Sequence, residues 1–200
     1  MTEPTRHRPA DERRSEAVET VIELCAEQDP AAITTGAIAK RMKLSQAALF
    51  RHFPTKQAVW QAVAGWVAEQ LISRVAAVAD GEASPLAGLE AIFLAHMAFI
   101  AEHPGVPRMM LGELQKPAQG PARRVIAQAL AAYRAHIEAL LRDGQAAGEL
   151  RADLDVPGAA VLFVGTIQGL VVQSLVSGDM AHARAHAPGV FAIYRRGILA

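Results

Sequence analysis

The chain has 200 residues, of which 52% are hydrophobic, and its 20 basic and 20 acidic side chains give a formal net charge of +0. These totals suit a soluble globular protein of one large or two small domains and by themselves name no partner. The single Cys25 excludes an intramolecular disulfide, and its place beside Val18, Val21 and Ile22 on an apolar helical face marks a buried thiol in a reducing cytoplasm.

The first residues, MTEPTRHRP, are polar and Pro-bearing, lack the apolar core of a secretory signal and read as a mobile arm. Beyond them apolar residues recur at helical spacing almost everywhere and strand alternation is lacking, so the expected fold is all-α with about nine helices. The first runs from about Asp11 to Gln28, with acids in its opening turns, and stops before Asp29-Pro30. A second follows Thr34 or Thr35, either of which can cap it, with Ile38, Ala39 and Met42 on one face. A short third begins at Ser45 and ends where Pro54 disfavours helix at Phe53. Thr55 caps a long fourth helix that turns Val59, Val63, Trp66, Val67 and Leu71 inward.

Gly81 to Ser84 connects two halves, and Pro85 stands at the favoured first-turn position of the next helix. That helix carries Leu89, Ile92, Phe93, His96, Met97 and Ile100 on one face and ends at His103-Pro104. A short helix at about 106–115, a loop at 116–121 and a long helix at about 122–147 follow. Val156 to Gly178 carries no charge and is long enough to span a bilayer. Thr166, Gln168, Gln173 and Ser174 interrupt it and no second span accompanies it, so a helix buried on most sides, capped by Asp155, is expected, with no membrane partner. Val190, Phe191, Tyr194 and Ile198 mark a last helix at about 188–199.

Charge is distributed unevenly. No acid occurs between Asp29 and Glu69, whereas Lys40, Arg41, Lys43, Arg51 and Lys56 all fall there, and Arg6, Arg8, Arg13 and Arg14 precede them. Two short helices joined by a tight turn at Met42 to Leu44, braced by the first helix, form a helix-turn-helix whose second member enters the major groove. An acid-free surface avoids phosphate repulsion, and the bases supply attraction.

Residues 34–63, TTGAIAKRMKLSQAALFRHFPTKQAVWQAV, resemble the signature of the TetR/AcrR family: a Thr-initiated helix, an Ile-Ala pair, a turn, then Ser-x-x-x-Leu-aromatic-Arg-His-Phe-Pro-Ser/Thr-Lys. The patch GQAAGELRADLD, 144–155, is also similar. The resemblance implies an all-helical homodimeric regulator, usually a repressor released from its operator by a small molecule. It divides the chain into an arm and DNA-binding domain at 1–58 and a helical effector-binding and dimerisation domain at 59–200. It places Thr35, Phe50, His52 and Lys56 at phosphates and Ser45, Gln46, Ala47 and Ala48 on the leading edge of the recognition helix, with Thr34, Lys43 and Arg51 completing the set. Lys43 stands where the family usually has Gly, so a left-handed backbone there costs about 1 kcal/mol or more. Ala47 and Ala48 replace the usual Gly-Thr, and Phe50 replaces Tyr. Gln46, whose amide can bond adenine bidentately, is the expected base reader.

In the second half, Gly165 and Gly169 lie one turn apart, where small residues let helices approach closely. The expected dimer interface is a four-helix bundle using Val161, Gly165, Gly169, Val172, Gln173, Phe191 and Tyr194. An effector cavity among the middle helices is expected to use Phe93, His96, Met97, Phe99, Ile100, His103, Met109, Met110, Glu113, Tyr133, His136, Phe163, Ile167 and Gln168, a set that favours a small, partly apolar molecule. No cofactor is implied. An enzyme is disfavoured because no phosphate loop, nucleophile elbow or zinc-protease motif is present. A metal-sensing regulator would use histidines, but His182 and His186 fall in a segment read as a loop between Asp179 and Pro188. A helix-turn-helix adaptor without an effector is a third reading.

Overall fold

The computed structural model describes residues 10–79, 81–116 and 120–200; the arm read from residues 1–9, with Arg6 and Arg8, lies outside them. Among the described residues there are nine α-helices, one 3-10 turn at Pro30–Ala32 and no β-strand. Helix α1, Ala10–Glu27, opens with Asp11 and Glu12 and buries Ala17, Val18, Val21, Ile22, Leu24 and Cys25. Helix α2, Thr35–Arg41, packs on α1, and α3, Gln46–Phe50, packs on α2. Helix α4, Lys56–Ala79, begins where the Thr55 hydroxyl accepts the amide of Ala58 at 3.0 Å, and runs the length of the molecule. The long helix turns Val59, Trp60, Val63, Val67 and Leu71 inward, while Trp66 stays partly exposed.

The second half is assembled around α4. Helix α5, Pro85–Glu102, is capped by Ser84 and packs on α4, α7 and α9; α6 is Gly105–Leu114, and α7, Pro121–Ala146, lies along α4. Helix α8 is Val156–Ser177, capped by Asp155, and α9 is Ala181–Ile198. The core of this half is aromatic: Phe93 meets Phe163 edge-on at 5.4 Å between centroids, and Phe163 meets Tyr194 at 5.5 Å. Burying a Phe or Leu side chain stabilises by about 1.5–3 kcal/mol relative to exposure, so this cluster is the main reason the helices of the second half stay together. The Tyr194 hydroxyl donates to the carbonyl of Ala159 at 3.0 Å, fixing α9 on α8. An antiparallel bridge between Leu150 and Leu199 ties the end of the chain to the α7–α8 connection.

Three expectations are corrected. The last helix starts at Ala181, not near 188, so His182 and His186 are helical. Ala183, Ala187 and Phe191 bury one continuous stripe across the proline, and Pro188 is exposed, so the carbonyl deprived of its amide partner belongs to the solvent side. Helix α8 is not buried on most sides, because Val161, Leu162, Val172 and Val176 are exposed. Nor is it the one long apolar segment, since α5 as well as α8 has the length and composition to cross a bilayer. Both are members of the same helical bundle.

One close approach joins the halves. A Cβ on Gly105, at the start of α6, would lie 1.9 Å from the carbonyl oxygen of Ile22 and 2.9 Å from the amide nitrogen of Ala26, so only glycine lets α6 rest on the α1 backbone.

Candidate DNA-binding surface and effector region

The turn between α2 and α3 is set by local chemistry. Thr34 caps α2, its hydroxyl accepting the amide of Ala37 at 3.0 Å, and Ser45 caps α3, accepting from Ala48 at 3.1 Å. Met42 ends α2, Lys43 takes φ +56, and Leu44 donates its amide back to the carbonyl of Ala39 at 2.8 Å while Lys43 donates to Lys40 at 3.1 Å. This is a left-handed helix stop of the kind glycine usually occupies, and Lys43 occupies it at the conformational cost expected of a residue with a Cβ. Ile38, Leu49 and Phe53 are buried behind the turn and anchor it in the hydrophobic core.

The bases of the acid-free segment then separate into two roles. Arg41, though exposed, turns back to α1, its Nη1 donating to Glu27 at 3.0 Å with Glu23 at 3.8 Å, so it ties α2 to α1. Hydrogen bonding to Arg41 holds the Glu27 carboxyl below the usual range. Lys40, Lys43, Arg51 and Lys56 are exposed, and among the described residues none of them pairs with an acid. Ser45, Gln46 and Ala47 are exposed on the leading edge of α3, with Phe50 exposed and His52 half-buried beyond them.

Two expected contacts are placed differently. Ala48 is buried, its methyl packed inward, which removes it from the surface available to a thymine methyl. Thr35 is also buried, and its hydroxyl accepts a hydrogen bond from the side-chain amide of Gln46 at 2.7 Å, so in this structure its partner is Gln46.

The residues expected to line an effector cavity are mostly packed against one another. Phe93, Met97, Phe99, Ile100, Met109, Tyr133, Phe163 and Ile167 are buried core, with Met110 packed on its edge. His96 keeps some accessible area, yet its ring is deeply set against Tyr133, with Nδ1 3.2 Å from the phenol oxygen; burial pushes its pKa down to about 4 and pushes that of Tyr133 up. His136 is half-buried and its Nε2 has no partner. Gln168 is exposed on the outer side of α8, away from this core.

Open volume lies elsewhere. A cleft of about 410 Å³ between α1, α4 and the α5–α6 joint is lined by Glu19, Glu23, Trp66, Glu102 and His103. Another, of about 530 Å³, lies between the 3-10 turn at Pro30–Ala32, the start of α4 and α6, and is lined by Thr55, Lys56, Trp60, Glu113 and Lys116. Glu113 is buried and paired with Lys116, whose ammonium lies 5.4 Å over the Trp60 ring. Cys25 is buried nearby, and burial together with the Glu113 charge pushes its thiol up to about 12, leaving it an unreactive core residue.

On the outer face of α8 and α9 the exposed apolar residues are Val161 (59%), Leu162 (58%), Val172 (47%), Val176 (85%) and Ile193 (66%). A Cβ on Gly165 or Gly169 would meet nothing within 4 Å, so these glycines pack no neighbour in their own chain. Phe191 and Tyr194, expected on this face, are instead buried inside the subunit. Leu162, Val176 and Ile193 belong to this exposed apolar face although they were not expected on it; only Val176 had a signal, the spacing that places Val161, Gly165, Gln168, Val172 and Val176 along one side of α8.

Residues 18–63 match the family model described as bacterial regulatory proteins of the tetR family, and residues 113–188 match the tetracyclin repressor-like C-terminal domain. The chain belongs to the TetR family of transcriptional regulators. Like other TetR-family members it is a DNA-binding regulator, and the family is one of regulators, not enzymes. Among curated relatives it is similar to the nucleoid occlusion factor SlmA of Marinomonas sp. (strain MWYL1), 24% identical over 161 residues that make up 80% of this chain and 82% of that protein. SlmA of Aliivibrio fischeri (strain MJ11) is 28% identical over 158 residues, 78% of this chain and 81% of that one. Among solved structures, the ketosteroid transcriptional regulator KstR2 of Mycobacterium tuberculosis superimposes with a TM-score of 0.79 at 25% identity, covering 94% of this chain and 95% of that chain. The regulator FadR from Bacillus subtilis, solved in complex with stearoyl-CoA, gives a TM-score of 0.81 at 20% identity, covering 92% and 98%.

Proposed function

We propose that this TetR-family chain is a cytoplasmic, homodimeric repressor that leaves a palindromic operator when a small, partly apolar effector binds. The observation that carries the DNA reading is the sorting of charge at the helix-turn-helix: Arg41 is committed to α1, while Lys40, Lys43, Arg51 and Lys56 stand exposed without acidic partners around an α3 edge formed by Ser45, Gln46 and Ala47. Phosphate attraction comes from those bases, with His52 at the periphery, while Phe50 offers the backbone only apolar contact in place of a tyrosine hydroxyl. Gln46 reads a base by giving up its bond to Thr35, which holds the amide oriented until adenine replaces it.

The apolar outer face of α8 and α9 supports the homodimer. A second copy seated there covers Val161, Leu162, Val172 and Val176, with Gln168 and Gln173 at its edges and Gly165 and Gly169 permitting close approach. Residues 1–58 form the DNA-binding unit and 59–200 the effector and dimer unit, coupled through α1 against α6 and through the start of α4. Effector binding shifts the population toward a state in which the two recognition helices no longer match successive major grooves. KstR2 and the acyl-CoA complex of FadR support an apolar effector by analogy of fold, and the aromatic core around Phe93, His96, Tyr133 and Phe163 is the region such a molecule would open.

A second reading has its own support. That core is packed, and the clefts described lie outside it, as expected of a DNA-binding member that answers to no effector; the curated relatives are named nucleoid occlusion factors. Thermal denaturation of the chain with stearoyl-CoA and with a steroid, each followed by titration of selected duplex, separates the two. The effector reading expects a ligand that raises the midpoint and weakens DNA binding. A ligand that binds and leaves duplex affinity unchanged contradicts the coupling.

A further inference from the structure

Because α9 begins at Ala181, His182 and His186 share one side of a helix, with ring centroids 4.2 Å apart and planes inclined by 53°. We propose that this pair is a clamp for one borderline divalent transition-metal ion, of the nickel, copper and zinc class that imidazole nitrogens suit. Two nitrogens bound at about 2.0–2.1 Å to one ion stand about 3 Å apart, a separation of the same order as the 4.2 Å between these ring centres, so one ion can be reached by both imidazoles. His186 is exposed and His182 partly so, which leaves the donors open to an ion from solvent. The amino end of a helix disfavours positive charge, a weak effect at an exposed position that two coordination bonds outweigh. Among the described residues no third His, Cys, Asp or Glu joins the pair, so the chain fills two coordination positions and leaves the rest open.

The position of the clamp gives those open sites a meaning. Gly189, Ile193 and Gly197 follow His186 along the same helix side at steps of three and four residues, and all are exposed. The three-residue link from Ser177 also sets His182 beside the end of α8 that carries Val172 and Val176. Resting on the dimer reading above, an ion held here lies at one end of the face covered by the second copy, and its remaining positions are taken by water or by that copy. The ion then strengthens association.

Untagged, chelator-treated full-length chain is titrated with nickel chloride by calorimetry, alongside His182→Gln, His186→Gln and, as a control, His52→Gln. Removing even an outer-shell partner of a metal costs about 10- to 100-fold in affinity, so loss of either clamp histidine is expected to weaken binding by at least that much, with His52→Gln unchanged. Equal binding by a clamp variant, or no nickel bound by the wild type, overturns the proposal. Sedimentation equilibrium with and without nickel reads the second part: the dimer constant tightens in the wild type and not in the variants. Intact nickel binding with an unmoved dimer constant overturns the placement at the interface. A chain that stays monomeric yet binds nickel through both histidines removes the dimer reading and leaves the clamp standing.

Discussion

At Lys43 a side chain occupies a backbone conformation that glycine enters freely, and the position also carries one of the exposed charges of the DNA-facing surface. Those two roles oppose each other. Lys43→Gly should raise stability by up to about 1 kcal/mol, read from the urea midpoint, while weakening duplex binding and reducing its salt dependence. Gln46 and Lys56 separate in another way. Gln46→Ala should cost about 1–3 kcal/mol at one base pair of a selected site, and Lys56→Ala should weaken all duplexes alike; equal losses on every sequence from Gln46→Ala would remove it as a reader. His96 supplies a test by pH. Its folded pKa, about 4, lies below the ordinary 6.5, so the unfolded chain binds the proton more readily in that window. Stability attributable to the neutral ring is complete above pH 6.5, falls as pH drops toward 4 and is flat below, by about 3 kcal/mol at most. Urea midpoints from pH 7 to 4 should therefore fall more steeply for the wild type than for His96→Gln; parallel curves would contradict the buried neutral imidazole.

At the scale of elements, periodicity located the helices, because each buries a stripe at helical spacing, and the caps Thr34, Ser45, Thr55 and Asp155 could be read from hydroxyl and carboxylate positions, whereas the Ser84 cap lies in a stretch that reads as a connection. The start of α9 could not, because Pro188 looks like a boundary until the packing of Ala183 and Ala187 is known. The same limit applied to the site. Charge counting groups Arg41 with the bases that attract phosphate, whereas its partner Glu27 lies fourteen residues earlier on α1, a long-range pairing with no local signal. The burial of Ala48 and Thr35 likewise depends on how α2 and α3 sit on the first helix. Gly105 shows what the helix contacts demand. Gly105→Ala pushes a methyl into the backbone of α1 at Ile22 and should cost about 2–3 kcal/mol in chemical denaturation, with a change in duplex affinity even though the residue is remote from DNA. An unchanged midpoint would mean that α6 does not rest on α1 as described.

At the scale of the whole molecule, the helix-turn-helix half proposed to bind DNA and the helical bundle that follows it are joined through α4 and by α1 against α6, with an apolar face on α8 and α9 left uncovered by the chain itself. In the proposed dimer symmetry connects these features: a twofold pairing through that face would carry two copies of α3, and the spacing between them would fix the half-sites of the DNA they can bind. Selection of bound fragments from a random duplex pool tests this most directly. The account predicts enrichment of an inverted repeat with half-sites about one helical turn apart or a multiple of it, bound by two chains. Enrichment of an unpaired half-site, or no enrichment at low salt, would contradict it.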